Sequence, residues 1–306
     1  MAGYCSGSMQ TAFLALLLAL IFAFFSGRLQ EWLHSAFATR PRLVWLLPPL
    51  AAGWFAAAVA VSGGTAGTAG NALTGFVFLY AAAPVLCAWL QRPGTHKQPS
   101  ALDFLIILLL WLPLEFPAPA ARLVAKHAQG FLHSVAYGIA ILLGLILFTA
   151  YRRFPGLKYN LPRERRDLWI TLAGFAVTAP VVIVIGIAIG FIPAPHWPTA
   201  PAGRMAAAFG IIAAGTALPE ETLFRSLIQN LLMLRFGASG WTLAAAALIF
   251  GAAHLDNGPQ PLPNWRYMIL ATIAGYGYGK VFQKSSTVLA SAGFHTLVDW
   301  TKHFFF

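Results

Sequence analysis

Three clusters of polar side chains interrupt apolar stretches in the last third of the chain. They are Glu-Glu-Thr-Leu-Phe-Arg at 220–225, Phe-Gly-Ala-Ala-His at 250–254 and His-Thr-Leu-Val-Asp at 295–299. Carboxylates and imidazoles move protons or bind metal ions, so these residue types suit acid–base or metal chemistry. An ionisable side chain within a membrane span is costly and marks a functional site by default. The three clusters are therefore the candidate site of the chain.

The spacing within the first two clusters predicts which side chains share a helix face. Glu221 and Arg225 are four residues apart in the favourable order, so we expect them to pair and neutralise each other. That leaves Glu220 as the acid with no obvious partner nearby in the sequence. Phe250 and His254 are also four residues apart, which places an aromatic ring one turn from the imidazole.

The third cluster places a carboxylate beside an imidazole, because His295 and Asp299 are four residues apart. Such a carboxylate fixes the tautomer of the histidine and raises its basicity in both catalytic and metal sites. Each cluster also has a purely structural interpretation. The charges of the first would meet lipid headgroups, the histidine of the second would be an ordinary residue at a helix end, and the pair in the third would join two helices.

The composition indicates helices that cross a membrane. The chain is 58% hydrophobic and 9% charged, with a mean hydropathy of +0.70, whereas a soluble domain has about 25% charged residues. Ten apolar stretches approach the length of a helical span. They are 10–26, 43–62, 72–90, 101–116, 131–150, 168–192, 204–235, 241–255, 266–283 and 287–304. Because 101–116 and 241–255 are short, we expect an all-α, polytopic bundle of about eight to ten spans.

The stretch 204–235 is too long for one straight span and contains a proline near its middle. Pro219 removes a backbone donor and disturbs the preceding helical turn. We therefore expect a broken helix at the candidate site. Glu220 and Glu221 would lie in the first turn of a new half-helix, whose positive N-terminal end stabilises carboxylates.

The net charge of +11 is interpreted as membrane orientation rather than nucleic-acid binding. With the basic loop at 152–166 in the cytoplasm, alternation puts most Lys and Arg on that side and both termini outside. Asp103 and Glu115 are interpreted as interfacial. One membrane domain is the simplest organisation, divided at the basic loop into an N-terminal region of unassigned role, 1–166, and a region with the clusters, 167–306.

Together, the clusters resemble the pattern of a known family. Glu-Glu-x-x-x-Arg, Phe-x-x-x-His and His-x-x-x-Asp follow one another in this order within 204–304. This is similar to the CPBP intramembrane proteases, also called the Abi or type II CAAX-processing family, which include Rce1-like prenyl-protein endopeptidases. The resemblance implies an intramembrane endopeptidase in 167–306, with its core motifs in 204–304.

The resemblance also implies roles for four residues. The first glutamate and the middle histidine of the family pattern, here Glu220 and His254, hold the attacking water. The last histidine and its partner, here His295 and Asp299, stabilise the oxyanion. Peptide hydrolysis needs an activated water and an oxyanion stabiliser, and these residue types can supply both.

The chain departs from the family pattern at one position. Asp299 stands where many relatives have Asn, and an ionised carboxylate cannot donate a hydrogen bond. We expect Asp299 to orient His295 rather than to touch the oxyanion. Glu221, Arg225 and Phe250 are expected to support the site.

A zinc site is the alternative chemistry. Glu220, His254 and His295 would supply three ligands, with water as the fourth. The His-Glu-x-x-His motif of zinc proteases is absent, so we favour a glutamic-type site without a cofactor.

The expected substrate is a membrane-associated protein or peptide within the lipid bilayer. The sequence does not indicate an oligomeric state for the protein itself. We expect a multi-pass protein, placed in the plasma (inner) membrane if the chain is bacterial. Two alternative functions use the same clusters. One is a secondary transporter, whose broken helices also carry acids, and the other is a non-catalytic scaffold or immunity protein.

Overall fold

The computed structural model describes residues 2–63, 68–115, 126–258 and 261–306, and in these ranges every regular element is helical. The all-α class is therefore confirmed. The chain divides into two compact units, Met1–Pro155 and Gly156–Phe306. This division lies within the basic loop at 152–166, eleven residues before the boundary expected from the sequence.

The first unit consists of helices joined by short connections. They are α1 (Ala2–Ala23), α2 (Gly27–Thr39), α3 (Leu47–Val61), α4 (Thr68–Leu90), α5 (Ala101–Glu115) and α6 (Lys126–Leu145). A 3₁₀ segment, Pro41–Leu46, precedes α3, and a π-helical turn, Ile146–Tyr151, extends α6. Ser26 begins α2, because its side chain accepts a hydrogen bond from the backbone N–H of Leu29.

A buried ion pair in this unit corrects the interfacial interpretation of Asp103. The Asp103 side chain is fully buried, and its carboxylate accepts from Nε of Arg152 at 2.8 Å and from Nη2 at 3.0 Å. The same guanidinium donates to the backbone oxygens of Gln91 and Arg92. A buried charge needs such partners. The sequence did not indicate this pair, because its two residues are far apart in the chain.

The second unit contains all three polar clusters. Its helices are α7 (Arg166–Ala188), α8 (Ala202–Phe236), α9 (Gly240–Ala252), α10 (Trp265–Lys284) and α11 (Val288–Phe305). Helix α10 packs on α7, α9 and α11, and the middle of α8 packs on α11. The first cluster therefore lies on α8, the second at the end of α9 and the third on α11.

Among the described residues, five helical segments are long and apolar enough to cross a membrane. They are Pro41–Val61, Asn71–Leu90, Ala128–Tyr151, Arg166–Ala188 and Ala202–Phe236. Ser8–Ala23 and Gly27–Thr39, bent by 80°, make a sixth if they form one span. The predicted eight to ten spans are not confirmed by this criterion, because α5 and α9 are short and α10 and α11 contain several polar side chains.

The predicted break at Pro219 is wrong, because α8 continues through the proline. The backbone is helical from Ala202 to Phe236, with π-helical segments at Ala213–Ala217 and Thr222–Gln229. In the wider π turn before the proline, the N–H of Leu218 donates to the backbone oxygen of Ala213. This turn accommodates Pro219, which has no N–H of its own. No half-helix therefore begins at the two glutamates, and other groups must balance their charge.

The turn between α10 and α11 is held by the segment that precedes α7. Lys158 Nζ donates to the backbone oxygens of Phe282 at 2.6 Å and Ser285 at 2.7 Å. Burial lowers the pKa of the Lys158 ammonium, and the nearby Asp167 carboxylate opposes that shift. The same carboxylate accepts from the N–H of Ser286 at 2.8 Å. These contacts fix the start of α11.

Helices α9 and α10 approach each other closely at glycines. A Cβ at Gly251 would lie 2.7 Å from the backbone oxygen of Met268 and would also collide with the Thr272 hydroxyl. A Cβ at Gly275 would lie 2.7 Å from Cδ1 of Phe250. Small residues at such a contact let two helices pack closely in a membrane, and here they bring the second cluster against α10.

Replacing Gly251 by Ala is expected to destabilise the protein by roughly 2 kcal/mol or more, since overpacking a close contact costs about 1–3 kcal/mol and here one colliding atom belongs to the backbone. The measurement is the unfolding transition of the purified protein in mixed detergent micelles. Gly210→Ala is the matched control, because a Cβ there meets nothing within 4 Å. Equal stability of the two variants would contradict the close contact.

Candidate active site

His295 on α11 is surrounded by three carboxylates. Its Nδ1 lies 3.2 Å from Oε1 of Glu221, and its Nε2 lies 3.9 Å from Oε2 of Glu220 and 3.4 Å from Oδ2 of Asp299. The structure thus joins the first cluster to the third, and the His295–Asp299 contact expected from their spacing is present. A carboxylate facing each ring nitrogen favours an N–H at both positions, which is the charged imidazolium.

The ion pair of Glu221 and Arg225 forms as its spacing predicted. Oε2 of Glu221 lies 3.0 Å from Nε of Arg225, and both side chains are fully buried. Glu221 therefore contacts Arg225 through one oxygen and His295 through the other. These side-chain partners balance its charge in place of the helix end that the sequence suggested.

Phe250 lies at the centre of the site and contacts groups from all three clusters. The guanidinium carbon of Arg225 is 4.8 Å from its ring centre. The imidazole of His254 is 4.7 Å away and that of His295 is 5.9 Å away, both measured between ring centres. The ring of Phe250 therefore packs against both histidines and against the buried cation.

His254 is held in one tautomer by the end of α9. Its Nδ1 lies 2.8 Å from the backbone oxygen of Phe250. A carbonyl oxygen only accepts, so Nδ1 carries the hydrogen and Nε2 keeps a lone pair. The ring also packs edge-on against Tyr267 at 4.6 Å. A fixed Nε2 lone pair is what a proton acceptor requires.

Glu220 and Asp299 are more exposed than the buried ion pair of the site. Their side chains are 25% and 33% exposed, whereas those of Glu221 and Arg225 are fully buried. The two acids that face Nε2 of His295 are therefore the more exposed part of the site.

Two tyrosines of α10 complete the site and were not found from the sequence. The ring of Tyr278 stacks on His295 at 4.6 Å with the planes 18° apart, and Tyr267 packs against His254. Gly275, Gly277 and Gly279 surround Tyr278 in the sequence. Such a run of small residues around an aromatic is the signal that would have indicated close packing here.

A zinc site would need three of these side chains placed around one point. Within the described ranges, no group of three or more His, Cys, Asp or Glu side chains is placed to hold a metal ion. Glu220, His254 and His295, the ligands of the zinc hypothesis, therefore do not form a ready-made site in this conformation. Nδ1 of each histidine already contacts an oxygen of the protein.

Comparison with protein families gives one match in this region. A model described as "type II CAAX prenyl endopeptidase Rce1-like" matches residues 202–301, about a third of the chain, and this range includes every residue of the site. Comparisons with curated proteins and with solved structures give no match. Residues 202–301 are therefore similar to the Rce1-like type II CAAX prenyl endopeptidases.

Proposed function

We propose that this protein is an intramembrane endopeptidase that cleaves a membrane-associated protein or peptide. Glu220 and His254 activate the attacking water, and His295, oriented by Asp299, stabilises the oxyanion. The observation that carries the proposal is the placement of two partly exposed carboxylates at Nε2 of His295, near a second histidine with a fixed tautomer. Hydrolysis of an amide uses such a base and such a cation.

The positive charge of His295 suits it to the oxyanion. Glu221 and Asp299 hold the ring from two sides, and Tyr278 supports one of its faces. Preorganised donors of this kind are worth more than flexible ones, because no reorientation is needed when charge develops. Asp299 acts on the oxyanion through the imidazole, because an ionised carboxylate cannot donate a hydrogen bond to the oxyanion itself.

His254 completes the proton path in this proposal. Glu220 and Nε2 of His254 together accept the proton that the attacking water loses. His254 then passes this proton to the leaving amine. The hydrogen bond from Nδ1 to the backbone keeps Nε2 available. The bond between the carbonyl carbon and nitrogen then breaks, and the C-terminal fragment leaves as an amine.

The protease is proposed to act without a cofactor, and residues 167–306 form its domain. The N-terminal region, 1–166, has no assigned role in the reaction. The shorter or more polar helices α5, α9, α10 and α11 are proposed as further spans, for a total of about eight to ten. The proposed location is the plasma membrane, the inner membrane if the source is bacterial.

The direct test is cleavage of defined peptides by the purified protein in detergent. A fluorescence-quenched farnesylated peptide with a CAAX end is the first probe, and a mixture of apolar membrane peptides is the second. Mass spectrometry then locates the broken bond. Cleavage of an internal bond is expected. If neither probe is cleaved while the folded protein binds or transports a solute, the transporter or scaffold alternative replaces the proposal.

The same preparation tests the zinc alternative. Metal analysis is expected to find much less than one equivalent of zinc, and a chelator is expected to leave the rate unchanged. Activity that is lost to the chelator and restored by zinc would overturn the metal-free proposal.

Asp299→Asn is expected to retain peptide cleavage to within about tenfold, whereas Asp299→Ala loses roughly 100-fold or more. Asn keeps an oxygen that accepts a hydrogen bond from His295, but Ala removes the contact that orients the ring. The measurement is kcat/KM with the quenched peptide. A large loss in both variants would show that the negative charge itself is needed.

A further inference from the structure

Lys302 lies on the same face of α11 as two residues of the proposed site. His295, Asp299 and Lys302 are at positions i, i+4 and i+7 of one helix, a spacing that aligns side chains along one stripe. This spacing places Lys302 next in line after Asp299, a partly exposed carboxylate of the site.

The ammonium of Lys302 is held by two aromatic rings. Its Nζ lies 5.0 Å from the ring centre of Phe191 and 4.8 Å from that of Tyr267. The two rings stack on each other at 5.1 Å. Tyr267 also packs against the imidazole of His254. One tyrosine therefore contacts both the proposed proton carrier and the cation.

The charge of Lys302 is available to a ligand. The side chain is exposed, and within the described ranges no carboxylate lies at ion-pair distance from its Nζ. The Asp299 carboxylate attracts the ammonium from a longer distance. Arg225, the guanidinium of the site, is buried and already paired with Glu221. The aromatic rings attract the cation without accepting conventional hydrogen bonds, so the ammonium keeps N–H groups for an anion.

The position beside His254 indicates which part of a substrate would meet this cation. This step rests on the proposed function, in which His254 delivers the proton to the leaving amine. The leaving amine belongs to the fragment C-terminal to the broken bond. We propose that Lys302 binds a carboxylate of this C-terminal fragment and thereby selects peptides that carry one there.

Two sources supply such a carboxylate: the free C-terminus of the peptide and an Asp or Glu side chain near it. The first limits cleavage to bonds close to the end of the substrate, whereas the second permits internal bonds with an acid downstream. Three quenched peptides of otherwise equal sequence distinguish them. One ends in a free carboxylate, one in a carboxamide, and one in a carboxamide with a Glu in the leaving segment.

The expected result is a preference of about tenfold in kcat/KM for a peptide with a carboxylate over the plain carboxamide, carried mainly by KM. Lys302→Met is expected to reduce this preference to about one, and Lys302→Arg to retain most of it. The peptide that is preferred identifies the source of the carboxylate. Lys280→Met is the matched control, because this exposed lysine lies over the ring of Tyr276 at 5.6 Å, outside the site.

The proposal is overturned if the wild-type protein shows no preference, or if Lys302→Met lowers the rates for all three peptides equally, as a structural role would. Binding of the same peptides, measured by fluorescence anisotropy on the wild type and on Lys302→Met, separates this outcome from failure of the protease proposal. If the wild type binds the carboxylate peptides more tightly and Lys302→Met does not, the role of Lys302 is supported even when no peptide is cleaved. If the wild type binds all three peptides equally, the role of Lys302 is rejected, and the protease proposal is unaffected.

Discussion

Replacing Glu220 by Gln is expected to reduce peptide cleavage by roughly 10³-fold while leaving the fold intact. Gln has the same size and keeps an acceptor oxygen, but it cannot take a proton from water, and general-base contributions are about 10²–10⁴-fold. The glutamate side chain is 25% exposed, and Gln differs little from it in volume, so the fold is expected to remain intact. The measurement is kcat with the quenched peptide, together with the thermal unfolding midpoint.

Glu164→Gln is the control for this variant. Glu164 is an exposed acid of the same unit that lies just before α7, and its replacement is expected to change neither rate nor stability. Retention of more than about a tenth of the wild-type activity by Glu220→Gln would remove Glu220 from the role of base. The carboxylate of Asp299 would then be the next candidate, since it is also partly exposed and also faces Nε2 of His295.

Arg225→Met is expected to destabilise the protein by about 3–5 kcal/mol, the effect of breaking a buried ion pair by removing one partner. Glu221 would keep only His295 as a charged partner. The cation over Phe250 would be lost as well. The measurement is the unfolding transition in mixed detergent micelles.

Two comparisons show whether this loss comes from the buried charge. The double variant Glu221→Gln/Arg225→Met is expected to recover part of the stability, with a coupling of about 1–3 kcal/mol between the sites. Arg153→Met breaks the exposed pair with Glu31, whose side chains are 40% and 57% exposed, and is expected to cost about 0–1 kcal/mol. Similar losses in the buried and exposed pairs would contradict the packing described for Arg225.

The parts of the site that the sequence predicted are those set by helical spacing. The pairs Glu221–Arg225 and His295–Asp299 are each four residues apart, and a helix brings such residues together whatever surrounds it. The all-α class followed equally directly from composition. The contact of His295 with the first cluster is different, because it joins residues 74 positions apart, and only the resemblance of the motifs suggested it.

The failed predictions concern properties that depend on tertiary packing. A proline usually interrupts a regular helix, but the π-helical turns on both sides of Pro219 remove the conflict, and no local propensity indicated them. Asp103 was expected at an interface because its partner, Arg152, is 49 positions away. Tyr278 carried no polar motif of its own, and its stacking on His295 depends on the close approach of α10.

The π-helical segments of α8 also make the length of this helix matter as much as its residues. A π turn holds an extra residue, so the residues after it are rotated by roughly 100° from a regular α-helical register. Every residue from Thr222 to Gln229 is buried, and Asn230 beyond them lies against Gly156. Deleting one apolar residue here would preserve the composition but turn the second half of the helix away from its neighbours. In this segment, insertions and deletions are constrained even where conservative substitutions are not.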